Sequence, residues 1–134
     1  ISEETSHKML EMLKAVINEG TGVRLRYRYQ FKGDIGGKTG TTQNNSDGWF
    51  IGVTPELVSG TWVGGEDRSI HFDNLREGQG ASMALPVWAL YMQKVYADET
   101  LGYSDTLKFD IPEHLHKEYK ECVSQAPVED LLFN

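Results

Sequence analysis

The sequence has few of the residues that mark several classes of protein. Its only cysteine, Cys122, cannot form a disulfide within the chain, and no run of about 18 apolar residues is present to span a membrane. Only 13 lysines and arginines stand against 20 acidic residues, and the resulting net charge of −7 argues against a nucleic-acid partner. The 134 residues fit one domain or a piece of a larger one.

Side chains with the chemistry of metal ligands also lack a suitable spacing. Histidines that share one helical face lie about four positions apart, whereas two of the four histidines are separated by two positions and the others have no evident partner. The acidic residues in glycine-rich stretches are better explained as polar caps of turns. We therefore expect neither a metal nor a cofactor. The residues concerned are His7, His71, His114, His116, Asp47, Glu66 and Asp67.

The first 20 residues carry the pattern of an amphipathic helix. Ser2 suits the N-cap position, and the two acidic residues after it favour the positive end of a helix dipole. The spacing predicts a helix over about residues 3 to 18, ended by Gly20. Its apolar residues recur at intervals of three and four: Met9, Leu10, Leu13, Val16 and Ile17.

The middle of the chain alternates in the manner of β-strands. Residues 23 to 31 place an apolar or aromatic residue at every second position, with arginines and a glutamine between them, which predicts a half-buried strand with a solvated arginine face. A second extended run is centred on "IGGKTGTT". "GWFIGVTP" and "LVSGTWVGG" then predict a hairpin joined at Pro55 and Glu56. These two runs are so apolar that we expect a helix layer on each side of the sheet.

Helical spacing returns at residues 82 to 99, where Pro86 is expected in the first turn. Helix, antiparallel strands and helix together predict an α+β fold, with an antiparallel sheet packed against helices. We expect a folded part over residues 1–99 and an irregular extension over residues 100–134, with a short helix at 113–122. Three tryptophans in apolar runs are expected in the core: Trp49, Trp62 and Trp88.

The most informative stretch is "GDIGGKTGTT", whose lysine stands between glycines. A phosphate-binding P-loop would need glycine at position 32, where Lys32 stands, and a helix after Thr39, where "GTTQNN" follows instead. In a strand, period two would put Thr39 and Thr41 on one face, with Gly40 leaving bare backbone between them. Two hydroxyls beside an ammonium suit a peptide carboxylate, bound along the strand.

These residues resemble a known family. "GKTGTT" followed by "DGWFIGVTPELVSGTWVG" is similar to the third active-site motif and the next hairpin of the penicillin-binding transpeptidases. "MLEMLKAVINEGTG" and "GQGASMALPVWALYMQKV" resemble the helices that flank them in class A, bifunctional members. The likeness covers residues 3 to 97 and implies the C-terminal portion of a β-lactamase/transpeptidase-like fold.

The resemblance implies a serine D,D-transpeptidase that cross-links peptidoglycan stem peptides ending in D-Ala-D-Ala and is acylated by β-lactams. Lys38 would organise the proton network around the nucleophile and attract the carboxylate. Thr39, Thr41 and Thr42 would line the substrate site with Gly40, and the Thr41 N–H would be one oxyanion-hole donor. Such a donor contributes roughly 2.7–4 kcal/mol to lowering the barrier.

The chain lacks the other two family motifs. No serine has a lysine three positions later or an asparagine two positions later, so S-x-x-K and S-x-N are absent. We expect both upstream of Ile1, with a glycosyltransferase domain and a membrane anchor that holds the protein at the extracytoplasmic face of the bacterial membrane. The chain alone would then be inactive and would need this upstream part as its partner. The alternatives are a non-catalytic module that binds peptides or β-lactams, and a fragment of a serine β-lactamase.

Overall fold

The computed structural model describes residues 1–115, and its first element is the helix predicted from the sequence. Helix α1 spans Glu3–Asn18, and the Ser2 side chain caps it by accepting a hydrogen bond from Thr5 N. Ile17, near its C-terminal end, is completely buried. The N-cap and the acidic first turn therefore act as the sequence indicated, whereas Met9 of the predicted apolar stripe is 47% exposed.

The strand predicted over residues 23 to 31 is wrong. This region forms a single helical turn, α2, at Arg24–Tyr27, and Gln30 then adopts a left-handed backbone with φ of 57°. Leu25 and Phe31 are buried but Tyr27 is 66% exposed, so the alternating apolar residues do not share one face. The alternation misled because Leu25 and Phe31 pack inward while Tyr27, which lies between them, points to solvent.

The arginines of this segment are not a solvated strand face either. Arg26 Nη1 donates to the carbonyl oxygens of Phe31 at 3.0 Å and Gly33 at 2.8 Å, and its Nε donates to Asn18 Oδ1 at 2.9 Å. A guanidinium has several donors in a fixed plane, so one side chain can hold three acceptors. Arg26 thereby folds the chain back after α2, which an extended strand would not permit.

The sheet has three antiparallel strands in the order β1-β2-β3: Gly36–Thr41, Asp47–Val53 and Val58–Gly64. The predicted hairpin is confirmed. Thr54 closes its turn, because its hydroxyl both donates to Leu57 O and accepts from Leu57 N, each at 3.1 Å. Within the described residues β1 pairs only with β2, so its other side is an open edge.

One face of the sheet is covered by helix α4, Gly80–Ala97, which follows the short helix α3 at Leu75–Gly78. Trp88 is fully buried against Phe50, with ring centroids 5.1 Å apart, and its indole nitrogen donates to Ser59 Oγ at 2.8 Å. The indole lies so close to Gly52 that a Cβ there would be 2.2 Å from Trp88 Cζ2. Trp88 is thus the core residue that the sequence predicted.

Helix α4 begins earlier than predicted, so Pro86 lies in its interior rather than in its first turn. The helix starts at Gly80 because a residue without a side chain can approach the sheet there. A Cβ on Gly80 would be 2.3 Å from Gly40 O and 2.5 Å from Trp49 O. This contact between distant segments is invisible to a pattern of helical spacing.

The opposite face of the sheet is largely open within residues 1–115, so the predicted helix layer on each side is wrong for this part of the chain. Helix α1 reaches that face at Gly36, where a Cβ would be 3.1 Å from Leu13 Cβ. Beyond it, Trp49, Ile51 and Trp62 are 42–46% exposed. We call these three residues the open face. Two of the three tryptophans expected in the core therefore lie outside it.

The segment after α4 is irregular, as predicted, but it is tied to the fold. Asp34 N donates to Leu107 O at 2.9 Å, and Phe109 N donates to Asp34 Oδ2 at 3.2 Å. Of the helix predicted at 113–122, Glu113–Leu115 forms a 3-10 turn and the rest lies outside the described residues. The division into 1–99 and 100–134 remains a prediction.

The close contact between Gly52 and Trp88 generates a stability prediction. We expect Gly52→Ala to lower the free energy of unfolding by about 1–3 kcal/mol, since an added methyl would overpack a rigid indole. Urea unfolding followed by circular dichroism measures the loss. Gly60→Ala is the matched control, because its Cβ would meet only the Ile51 Cδ1 end at 3.1 Å. Equal losses for the two variants would contradict the packing described here.

Candidate active-site edge

Strand β1 presents two different faces, as its sequence indicated. Thr39 lies opposite Phe50 and Thr41 opposite Gly48, on the face that packs against α4. Lys38 lies opposite Ile51, and Gly40 opposite Trp49, on the open-face side. A ligand at the edge of β1 would therefore have hydroxyls on one side and the ammonium on the other.

The backbone of β1 offers unpaired groups at its open edge. Thr42 N donates to Asp47 O at 3.1 Å, which marks these residues as a hydrogen-bonded pair next to the end of the strand. Backbone groups alternate in direction along an antiparallel strand, so the N–H of Thr41 points away from β2. Thr41 thus directs an N–H donor toward the open edge.

Lys38 is exposed, and its ammonium folds along the strand to donate to Thr39 O at 2.8 Å. None of the ion pairs formed within residues 1–115 involves Lys38. An ammonium with a neutral partner keeps its charge uncompensated. Its field is therefore available to an anion bound at the edge of β1.

The hydroxyls of Thr39 and Thr41 are each held by a group from another segment. Thr39 Oγ1 lies 2.9 Å from Thr21 Oγ1, in the turn after α1, and Thr41 Oγ1 accepts from Gly80 N at 3.0 Å. Gly80 is the first residue of α4, so the Thr41 hydroxyl lies at the positive end of a helix of 18 residues. Since Thr41 uses a lone pair for this bond, its proton remains free to donate.

Thr42 differs from the other two threonines because its hydroxyl closes the β1–β2 turn. It accepts from Asp47 N at 3.2 Å, donates to Asp47 O at 3.3 Å, and lies 3.1 Å from Ser46 Oγ. The turn itself needs left-handed backbone at Asn44 and Asn45, with φ of 62° and 52°. A contact of Thr42 with a substrate stays a prediction, and its visible role is to hold the turn.

The open face lies on the same side of the sheet as Lys38, a placement that the sequence did not reveal. Trp49 and Trp62 lie side by side on neighbouring strands, with ring centroids 6.5 Å apart, and a Cβ on Gly40 would be 3.3 Å from Trp49 Cβ. The alternation of β2 was the available signal, since Trp49 and Phe50 must point to opposite faces. It did not show which of the two points inward.

Two of the acidic candidates, Asp67 and Asp47, lie in different surroundings. Asp67 accepts a hydrogen bond from Ser69 N at 2.8 Å, which lowers the pKa of its carboxyl and identifies it as a turn cap. Asp47 lies at the start of β2, opposite Gly64. No cluster of three or more histidine, cysteine, aspartate or glutamate residues that could hold a metal occurs within residues 1–115. The helices in this range are also too short or too polar to cross a membrane.

Comparison with known proteins supports the family resemblance, although no family model matches the chain. Penicillin-binding protein 1A of Pseudomonas aeruginosa is 36% identical over 101 residues, which are 75% of this chain and 12% of that protein. The corresponding protein of Aquifex aeolicus is 37% identical over 86 residues, covering 64% of the chain and 11% of its own length. That of Rickettsia prowazekii is 31% identical over 117 residues, or 84% of the chain and 13% of the relative.

The chain thus spans only 11–13% of the length of these relatives. The matches nevertheless cover 64–84% of the chain itself. Its structure has the α+β arrangement that the family resemblance implied, and its K-T-G sequence lies in an edge strand. The chain belongs to the class A penicillin-binding proteins.

Proposed function

We propose that this chain supplies the carboxylate-binding and oxyanion side of the active site of a serine D,D-transpeptidase. The observation that carries the proposal is the edge of β1, which two threonine hydroxyls flank on one face and the Lys38 ammonium flanks on the other, with a backbone N–H directed outward between them. The substrate class is a peptidoglycan stem peptide ending in D-Ala-D-Ala, and β-lactams are the inhibitors that would acylate the same serine. The names of the relatives support a penicillin-binding role.

The terminal carboxylate of the stem peptide would bind between Thr39 and Thr41. Both hydroxyls can donate to it, and hydrogen bonds from a donor to an anion are shorter and stronger than neutral ones. Lys38 and the positive end of α4 add favourable potential on either side. The peptide backbone would lie along β1 as an added strand, which places its carbonyl near the Thr41 N–H.

The proposed reaction is an acyl transfer in two steps through an acyl-serine. A serine oxygen attacks the carbonyl between the two D-alanines, and negative charge develops on the carbonyl oxygen, where the Thr41 N–H stabilises it. The C–N bond breaks, and the terminal D-alanine leaves with the proton that the serine hydroxyl gave up. An amine of a neighbouring strand then attacks the acyl-serine, forms the new amide bond, and yields the proton that restores the serine hydroxyl. Lys38 would organise the proton network around the serine nucleophile.

The nucleophile must come from elsewhere in the protein, because no serine of this chain stands in an S-x-x-K pattern. We place the upstream part of the protein on the open face, where Trp49, Ile51 and Trp62 expose apolar surface beside Lys38. Contiguous apolar surface of this kind marks a packing partner. The complete protein would act outside the bacterial cytoplasmic membrane, anchored by that upstream part.

The role of Lys38 is tested by acylation of the full-length protein with benzylpenicillin, followed by intact mass. We expect an adduct on an upstream serine, formed at least about 100-fold more slowly in Lys38→Ala, since loss of a group that handles the proton costs that much. Lys32→Ala is the control, because Lys32 is also exposed but lies in the turn before β1. An adduct formed as fast in Lys38→Ala as in Lys32→Ala would contradict the role of Lys38, and no adduct in the folded wild-type protein would favour the non-catalytic module.

The role of the open face is tested by a charge placed at its centre. We expect Ile51→Lys to abolish the yield of folded full-length protein that binds a fluorescent penicillin, because a buried unpaired ammonium is strongly unfavourable. Val87→Lys on the exposed side of α4 is the control, since Val87 is 49% exposed and Ile51 is 42% exposed. If both variants bind the penicillin like the wild type, the upstream part does not pack on the open face.

A further inference from the structure

The turn between α1 and α2 brings a third hydroxyl to the edge of β1. Thr21 lies 18 positions before Thr39 in the sequence, yet their Oγ1 atoms are 2.9 Å apart. Thr21 is exposed, so its side chain is not needed to fill the core. The inference drawn from this contact rests on the proposed function, because it concerns how Thr39 meets a carboxylate.

The backbone on both sides of Thr21 is firmly held. Gly22 N donates to Val16 O at 2.9 Å, and Val23 N donates to Gly20 O at 3.2 Å, which folds the turn back onto the end of α1. A Cβ on Gly20 would be 2.9 Å from the Cα of Val16, so only glycine allows this approach. The turn therefore has a defined position.

The end of α1 packs directly against β1. Ile17 is completely buried, and a Cβ on Gly37 would be 3.1 Å from its Cδ1. Gly37 precedes the lysine of the K-T-G sequence by one residue. The turn that carries Thr21 is thus fixed relative to the strand that carries Thr39, and their contact is a product of the fold.

The contact determines where the Thr39 proton points. A hydroxyl has one proton and two lone pairs, so either threonine can be the donor in the resting protein. A bound carboxylate has only acceptors, so Thr39 must then donate to it and can accept from Thr21 at the same time. Hydrogen bonds linked in this way strengthen one another.

We propose that Thr21 is a positioning residue for the carboxylate site. Its hydroxyl donates to Thr39 Oγ1 and thereby aims the Thr39 proton at the carboxylate of a stem peptide or β-lactam. Thr39 has no other side-chain partner among the hydrogen bonds of residues 1–115, whereas Thr41 is oriented separately by Gly80 N. Thr21 thus does for Thr39 what the first residue of α4 does for Thr41.

The test uses the full-length protein and two probes, benzylpenicillin and its carboxylate methyl ester. Thr21→Val keeps the shape and removes the hydroxyl, whereas Thr21→Ser keeps the hydroxyl. We expect Thr21→Val to slow acylation by benzylpenicillin about threefold to tenfold, the range for losing one neutral hydrogen bond. Thr21→Val should not change acylation by the ester, because the ester has no carboxylate that could accept the Thr39 proton. Thr21→Ser should acylate with benzylpenicillin at the wild-type rate.

The control is Thr106→Val, which removes a hydroxyl from another exposed pair of the same length, Ser104 and Thr106 at 2.9 Å. It should leave both rates unchanged. Equal slowing with both probes in Thr21→Val would mean a merely structural role and overturn the inference, as would a wild-type rate with benzylpenicillin. A wild-type protein that forms no adduct would instead refute the proposed function itself.

Discussion

The structure depends on the close approach of helix α4 to the β1–β2 pair. At Gly80 the helix comes so near to the sheet that its first N–H reaches the hydroxyl of Thr41, at 3.0 Å. The same side of the sheet gains its core from the packing of Trp88 on Phe50 and over Gly52. One set of contacts therefore stabilises the fold and orients a residue of the candidate site, so the site inherits the rigidity of the core.

The two faces of the sheet have different roles in consequence. The face toward α4 is packed within this chain, whereas the open face carries Lys38 beside exposed tryptophans. The edge of β1 lies between the two, and among the described residues no strand pairs with it. The proposed upstream nucleophile and packing partner would account together for two observations: the absence of an S-x-x-K serine from this chain and the exposed apolar surface of the open face.

Features that depend on capping, on charges near a helix end and on side-chain periodicity could be predicted from the sequence. The bounds of α1 follow from Ser2, the acidic first turn and helical spacing, and the two faces of β1 follow from period two. The strand predicted at residues 23 to 31 is wrong because alternation cannot show that Arg26 will bind three acceptors five to eight positions away and bend the chain. The exposure of Trp49 also depends on which face α4 occupies.

The contacts that complete the site were beyond prediction for a related reason. The pairs Thr21 with Thr39 and Thr41 with Gly80 join positions 18 and 39 residues apart, and nothing in the intervening sequence specifies them. Such contacts arise when elements pack, and glycines at the points of approach are the only trace that they leave in the sequence. Motif and resemblance identified Thr39 and Thr41, whereas the structure revealed what holds them.

The central claim is that the edge of β1 binds the carboxylate of the acylating ligand. The most direct measurement is a crystal structure of the full-length protein acylated by benzylpenicillin. The account predicts the carboxylate within hydrogen-bond distance of both Thr39 Oγ1 and Thr41 Oγ1, with the acyl oxygen at the Thr41 N–H. An acyl-enzyme whose carboxylate lies away from β1, with both hydroxyls unchanged from their contacts with Thr21 and Gly80, would contradict it.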